Sequence, residues 1–350
     1  MEKTLASIEP ARRTHARIAD LAAYLPERIL TNETLAELFP GWPADKILEK
    51  TGIRHRHVAA ATETAADLAY EAAQALFARG AVQPGEIDFS IRCTQAPDYV
   101  LPTSACVLQH RLGIPRSAGA LDVNLGCSGF VYGLSLAKGL IETGAARRVL
   151  LLTADTYSKY IHPMDKSVRT LFGDGAAATL VEAHDSAQAC IGPFVFGTDG
   201  SGAANLIVEA GGFRRPADAS SAEEMTDASG NVRSAGHLYM NGPEVLGFTL
   251  REVPLAVENL LEKARIGKDD VDLFVLHQAS RFMLDALRRK FGLDPSRMPM
   301  CMEDVGNTVS STIPLALIAL REQGAIRPGA RLMLVGFGVG YSWAATLITL

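Results

Sequence analysis

No two cysteines in this chain stand at C-x-x-C spacing. The five (Cys93, Cys106, Cys127, Cys190, Cys301) are scattered singly, which excludes a zinc ribbon and offers no disulfide framework, so a reducing cytoplasm is expected. An excess of basic charge is missing too, and a formal net charge of −5 argues against a nucleic-acid partner. His55 and His57 alternate along a strand-like stretch without the further ligands a metal ion needs, so both are expected at the surface and no metal site is expected. No apolar run reaches about 18 residues without polar interruption, which leaves no membrane span. The opening Met1 to Arg17 is charged throughout and lacks a continuous apolar segment, so a soluble, unprocessed chain is expected. What remains is ample for a large core: 350 residues, 48% of them hydrophobic, enough for more than one domain.

Strand and helix patterns alternate along the chain. Strands are expected at 16–24, 87–94, 120–125, 149–155 and 176–181, and helices at 32–39, 44–50, 64–79, 102–112 and from 128 to a stop at Gly144. That alternation means α/β layers. The second half repeats the first. Gly85 to Thr94 is echoed by Lys268 to His277, Arg147 to Thr153 by Ala330 to Gly336, and Ala176 to Val181 by Ala344 to Ile348. Cys127 and its helix stop at Gly144 are echoed, at one common offset, by Asn307 and a stop at Gly324. Two similar βα halves are therefore expected, 1–185 carrying Cys127 and 186–350 carrying His277 and Asn307. Between them, Thr198 to Met240 is rich in glycine, alanine and serine and reads as a long loop that is either a surface insertion or a wall of the cleft.

Cys127 is the residue around which the chemistry is expected. The buried strand 120–125, a tight turn at Gly126 and the helical spacing of Phe130, Val131, Leu134 and Ala137 place it at the mouth of a helix. There the unpaired N–H groups and the dipole pull a thiol from about 8.5 towards roughly 3.5 to 7.5. The glycines on both sides strip side chains from the sulfur, as an open site requires and a packed core does not. His277, after Phe274-Val-Leu276, and Asn307, after Gly306, also have plainer readings, a hydrogen-bonded strand end and a helix cap. The repeat favours the other reading, because it brings all three to one place.

The ordered motifs Thr51-Gly-Ile-Arg54, Leu101-Pro-Thr-Ser-Ala-Cys106, Gly126-Cys-Ser-Gly-Phe130, Phe172-Gly-Asp-Gly-Ala176, His277-Gln-Ala279, Gly306-Asn-Thr308 and Gly336-Phe-Gly-Val-Gly-Tyr-Ser-Trp343 span nearly the whole chain. In them the sequence resembles the thiolase-fold condensing enzymes, and most closely the β-ketoacyl-acyl-carrier-protein synthase III family. The resemblance implies a thiolase-like fold with its two halves in α/β/α/β/α layers. It implies that Cys127 is acylated by an acyl-coenzyme A or acyl-carrier thioester, and that His277 and Asn307 stabilise the enolate left by decarboxylation of malonyl-acyl-carrier protein. The oxyanion hole would be the backbone N–H of Cys127 and that of Val339, where the family usually has glycine. No cofactor is implied.

Departures from the family pattern bear on substrate. The family's adenine-stacking tryptophan aligns with Lys46, just before Thr51, with Trp42 four residues earlier, and the arginine on the other side of the adenine becomes Lys166, which keeps charge but loses planar stacking. Ser280 replaces an asparagine, and Phe337 stands in the C-terminal motif. Leu101 replaces the bulky aromatic that reaches across a homodimer into the partner's acyl pocket, which implies room for longer acyl groups. Arg281 and Arg288-Arg-Lys290 form a basic stretch that either docks an acidic carrier protein or is a solvated helix face. The alternatives to condensation are acyl transfer to an alcohol or amine, and a non-catalytic partner subunit. An intact Cys127, His277 and Asn307 favour condensation.

Overall fold

The structure, a computed structural model, describes residues 13–350; the part of the expectation for Met1 to Arg17 that concerns residues 1–12 lies outside them. Alternating and continuous apolar runs become fifteen strands and nine helices among the described residues. In order these are β1 (Arg13–Tyr24), β2 (Ile29–Thr31), α1 (Asn32–Leu38), α2 (Ala44–Thr51), β3 (His55–His57), α3 (Ala65–Ala78), β4 (Phe89–Cys93), α4 (Ser104–Arg111), β5 (Gly119–Val123), α5 (Gly129–Glu142), β6 (Arg148–Asp155), α6 (Lys166–Arg169), β7 (Gly175–Ser186) and β8 (Ile191–Thr198). The short strands β9 (Leu206–Ile207), β10 (Met225–Thr226), β11 (Val232–Arg233) and β12 (Tyr239–Met240) follow, β10 paired with β11 and β9 with β12, then α7 (Gly242–Ala264), β13 (Leu273–Leu276), α8 (Arg281–Phe291), α9 (Thr312–Glu322), β14 (Arg331–Gly338) and β15 (Ser342–Thr349).

Two sheets carry the fold, in the orders β1-β7-β6-β4-β5 and β13-β14-β15-β8. Parallel pairing of β4 with β5 and β6 is matched by parallel pairing of β13 with β14. One core lies between the sheets: Phe130, Val131, Leu134 and Ile141 of α5 and Ile313, Leu317 and Leu320 of α9 pack against Ile91, Val149 and Leu151 on one side and Val275, Leu332 and Leu334 on the other. Burying each such large side chain contributes about 1.5–3 kcal/mol, so this middle layer is a principal source of cohesion. A second core joins the outer face of the first sheet to α3 and α4, and a third joins the second sheet to α7 and α8. The result is the five-layer α/β/α/β/α order expected from the sequence.

Local rules account for the elements. Thr64 and Asp67 form a capping box at the start of α3, whose alanines (Ala65, Ala66, Ala69, Ala72, Ala73) let the helix approach the sheet closely. Three features differ from the sequence expectations. β5 is half-buried along its length, because it is the edge of its sheet. The 23-residue α7, which runs on through Pro254, and strand β8 were not anticipated. His55 and His57 are half-buried, since β3 pairs with β2 instead of lying open. Residues 198–240 form two short strand pairs, 3-10 turns at Gly200–Asn205 and Ser220–Ala222, and otherwise loop. Among the described residues no helix is long and apolar enough to cross a membrane, and no cluster of His, Cys, Asp or Glu is placed to hold a metal ion.

Candidate active site

After β5 the chain turns through Gly126, whose carbonyl accepts the Gly129 N–H at 2.8 Å, and enters α5 with Ser128 as the capping residue. Cys127 sits in that turn, only 6% exposed. The neighbouring glycines are there for close packing and not for open access. A Cβ on Gly129 would lie 2.1 Å from the Cys93 sulfur, and one on Gly126 would lie 2.4 Å from Gln95 Oε1. Only Gly338 clears the nucleophile itself, since its Cβ would come within 2.9 Å of the Cys127 sulfur. Ser128 and Ser342 join hydroxyls at 2.6 Å and tie the turn to the C-terminal hairpin of β14 and β15.

The sulfur is not held as a resting thiolate. Burial, with the nearby Asp155 carboxylate adding to it, pushes the Cys127 thiol up to about 12. Two hydrogen bonds to the sulfur pull the other way, from the backbone N–H groups of Cys127 and Val339. A helix terminus contributes at most about 2 kcal/mol, or roughly 1.5 pKa units, too little to offset burial at this site. The sequence-based expectation of a depressed pKa is therefore corrected. The two N–H groups that act on the sulfur are those of Cys127 and Val339, the pair expected as oxyanion donors.

His277 follows the end of β13 and lies in the same cavity as Cys127 and Asn307. Burial pushes it down to about 3, so its ring is neutral. Nδ1 lies 2.7 Å from the Thr312 hydroxyl, which is also 3.2 Å from the Val309 carbonyl. That hydroxyl either donates to a bare Nδ1 or accepts from a protonated one while donating to Val309. Both tautomers of His277 are thereby supported, and Nε2 is left to the cavity. Phe337 packs edge-on against the ring, with centroids 5.5 Å apart. Asn307 is not at the first turn of α9; a short turn, Val309–Ser311, intervenes. Its Oδ1 accepts the Val309 N–H at 3.0 Å, which fixes the amide and leaves Nδ2 facing the cavity.

The cavity measures about 420 Å³ and is chiefly apolar, walled by Leu206, Met240, Leu246, Phe282, Met283 and Phe337. Leu206 and Met240 show that part of the 198–240 segment lines the cleft. A second cavity of about 610 Å³ shares Leu171, Ser280 and Phe282 with the first and leads to the surface between Trp42, Lys50, Lys166, Arg281 and Arg289. Thr51 lines this mouth, its hydroxyl bonded to the Ile47 carbonyl at 2.7 Å. Lys166 also lines it, with its ammonium on the Ser229 carbonyl. Ser280 caps α8 through the Met283 N–H. Lys46 is not a mouth residue: its Nζ lies 5.1 Å above the Trp42 ring and bonds Gly41, so Trp42 is the aromatic at the opening. Leu101 is 79% exposed on the loop before α4, beside Val100 and Tyr99, and lines neither cavity. Sequence reasoning missed the wall from α7 (Val245, Leu246, Thr249), which its i, i+4 spacing would have revealed, and it missed Asp155.

Comparisons with known proteins agree in direction. The family profile described as 3-oxoacyl-[acyl-carrier-protein (ACP)] synthase III matches residues 121–200, and that of its C-terminal part matches 261–350. A β-ketoacyl-[acyl-carrier-protein] synthase III of Caldanaerobacter subterraneus subsp. tengcongensis is 34% identical over 95% of this chain and 97% of its own length. A crystal structure of a 3-oxoacyl-(acyl-carrier-protein) synthase III is 67% identical, with a TM-score of 0.95, covering 96% of this chain and 100% of that one. The 3-oxoacyl-(acyl-carrier protein) synthase of Burkholderia xenovorans LB400 is 39% identical, with a TM-score of 0.88, covering 97% and 95%.

Proposed function

The chain belongs to the 3-oxoacyl-[acyl-carrier-protein] synthase III family and is a condensing acyltransferase, and from that premise we propose how its residues divide the reaction. Cys127 is the acyl carrier, His277 and Asn307 serve the extender unit, and the N–H groups of Cys127 and Val339 form the oxyanion hole. The observation that carries this reading is a buried Cys127 sulfur in one cavity with His277 and Asn307, with the backbone N–H groups of Cys127 and Val339 bonded to it.

The buried thiol needs a base. His277 Nε2 accepts the Cys127 proton as the sulfur attacks the thioester carbonyl, and the developing oxyanion falls to the two N–H groups. Burial penalises a lone thiolate and a lone imidazolium, but the pair formed together offsets both penalties by mutual attraction. The proton then passes to the departing thiolate, and His277 is neutral again. A malonyl thioester next occupies the cavity and loses carbon dioxide. The enolate oxygen accepts from Asn307 Nδ2 and from His277 Nε2–H, the tautomer that Thr312 supports by donating to Nδ1. The enolate carbon attacks the acyl group, the same oxyanion hole takes the charge, and collapse expels the Cys127 sulfur as a thiolate that takes a proton from water as the β-ketoacyl product leaves. A carboxamide at 307 suits an enolate; transfer to an alcohol or amine calls for a base there instead.

The donor is an acyl-coenzyme A or acyl-carrier thioester and the extender malonyl-acyl-carrier protein, with no cofactor. The basic mouth, with Lys50, Lys166, Arg281 and Arg289, supports a phosphate-bearing arm or an acidic carrier, and Trp42 offers the aromatic face. Residues 1–185 and 186–350 act as a nucleophile half and an extender half. A homodimer is supported by the half-buried edge strand β5 and the exposed Tyr99-Val100-Leu101. The setting proposed is the cytoplasm. Intact-protein mass after incubation with acetyl- to octanoyl-coenzyme A, and the same acyl groups on carrier protein, tests the assignment. One acyl mass should appear on wild type and none on Cys127→Ser; a hydroxylamine-labile adduct on Cys127→Ser would overturn it.

A further inference from the structure

Asp155 is fully buried at the end of β6, and no step above uses it. Its two oxygens reach into both halves of the protein. Oδ1 accepts the Gln95 N–H at 2.8 Å, and the Gln95 side chain is the group that Gly126, beside Cys127, packs against. Oδ2 accepts the Ser310 N–H at 3.2 Å and the Ser310 hydroxyl at 2.5 Å. Next to Ser310 stands Val309 with φ of +56°, a left-handed conformation that a β-branched residue adopts only when its surroundings compel it. This same Val309 gives its N–H to Asn307 Oδ1, and its carbonyl lies 3.2 Å from the hydroxyl of Thr312, the partner of His277. The turn that orients both groups of the extender step is thus pinned at Ser310.

We propose that Asp155 is a positioning residue: its carboxylate, clamped on Ser310, holds the 309–310 turn in the one conformation that aims Asn307 and His277 into the cavity. The same negative charge acts on Cys127, where it opposes thiolate formation. One buried carboxylate therefore fixes the extender groups and adds to the burial that keeps the nucleophile protonated. In Asp155→Asn the Gln95 bond survives on the amide oxygen, but an amide N–H2 would face the Ser310 N–H, donor against donor.

The inference rests on the assignment of Asn307 and His277 to decarboxylation, and the test has an arm that does not. Asp155→Asn and Ser310→Ala would be compared with wild type in three measurements. These are iodoacetamide alkylation of Cys127 against pH, read by intact mass; acyl loading from acetyl-coenzyme A; and carbon dioxide release from malonyl carrier protein. In Asp155→Asn the alkylation curve should move to lower pH, with faster alkylation at fixed pH, since a charge that opposes the thiolate is gone. Carbon dioxide release relative to loading should fall at least about tenfold in Asp155→Asn and about threefold in Ser310→Ala, as expected for losing a positioning hydrogen bond. The alkylation curve of Ser310→Ala should stay in place. An unmoved curve in Asp155→Asn overturns the charge effect independently of how decarboxylation is assigned. An unchanged ratio in Ser310→Ala overturns the clamp, and that variant alone decides the clamp if Asp155→Asn does not fold. If the ratio is also unchanged in Asn307→Ala, the assignment of decarboxylation has failed instead.

Discussion

The turn that carries Cys127 and the turn that carries Asn307 each lead into a helix of the middle layer, yet they are held by different forces. The Cys127 turn is shaped by space: Gly129 lies against Cys93 and Gly126 against Gln95, with the helix beginning at once. The Asn307 turn is shaped by polar contacts. Asn307 Oδ1 holds Val309, Asp155 holds Ser310, and Thr312 links the turn to His277 before α9 begins. A nucleophile must present one atom at one point, which tight packing ensures. An enolate must be met by donors in fixed directions, which needs a wired turn.

The largest separation between the two regions should appear in the extender step. Asn307→Ala removes a donor that the enolate needs and the acyl transfer does not. Carbon dioxide release from malonyl carrier protein should fall about 10²–10³-fold, as for loss of an oxyanion donor, with acyl loading within about threefold of wild type. His277→Ala should lower both, because a thiol pushed up to about 12 needs a base to load. Equal loading rates in His277→Ala and wild type would remove His277 from the first half-reaction. Wild-type carbon dioxide release in Asn307→Ala would remove the carboxamide from the second.

A smaller effect should test the claim that space governs the Cys127 turn. Gly129→Ala places a methyl 2.1 Å from the Cys93 sulfur, and overpacking of this kind costs about 1–3 kcal/mol. The sulfur is the obstacle; the Cys93 Cβ would be 3.7 Å away, an ordinary contact. Cys93→Ala in the same chain should therefore restore most of the lost stability. Thermal melting of the two single variants and the double variant measures the coupling. Additive losses would mean that the turn gives way elsewhere and that packing against Cys93 does not define it.

How much of this was legible in the sequence depends on which force holds each region. The strands and helices of the first half were readable from periodicity, as was the five-layer order from the repeat and the resemblance. Cys127, His277 and Asn307 were named because motif and repeat coincide there, and Val339 from the resemblance alone. The pKa of Cys127 was not readable, since the dipole argument counts one helix terminus and cannot count burial by two sheets or the charge of Asp155, which is distant in sequence. Gly126 and Gly129 were seen but given the wrong cause; which atom a missing Cβ would meet is a tertiary fact. Trp42 and Lys46 exchange places because α2 turns the lysine back over the ring. Helix α7 went unread although Val245 and Thr249 stand at helical spacing near its start.

Leu101 supplies the smallest effect and extends the comparison to a third region, the loop between β4 and α4. This loop starts beside the Cys127 turn, since Gln95 packs on Gly126, but its tip carries Tyr99, Val100 and Leu101 out to solvent, the last at 79% exposure. An apolar tip held in water is costly unless a partner covers it, and β5 next to it is a half-buried edge. In the proposed homodimer this tip closes the partner's acyl pocket, and leucine leaves more room there than an aromatic ring. Each methylene buried is worth about 0.8 kcal/mol, so the loading rate should rise up to about fourfold per carbon from acetyl until the wall is met. Leu101→Phe should shorten the accepted chain by two or so carbons, about one ring's depth, and leave the acetyl rate unchanged. A chain-length series on both proteins, beside the molar mass in solution, checks it. Identical profiles, or a fully active monomer, would mean that one chain closes its own pocket and that the loop plays no part in selecting the acyl group.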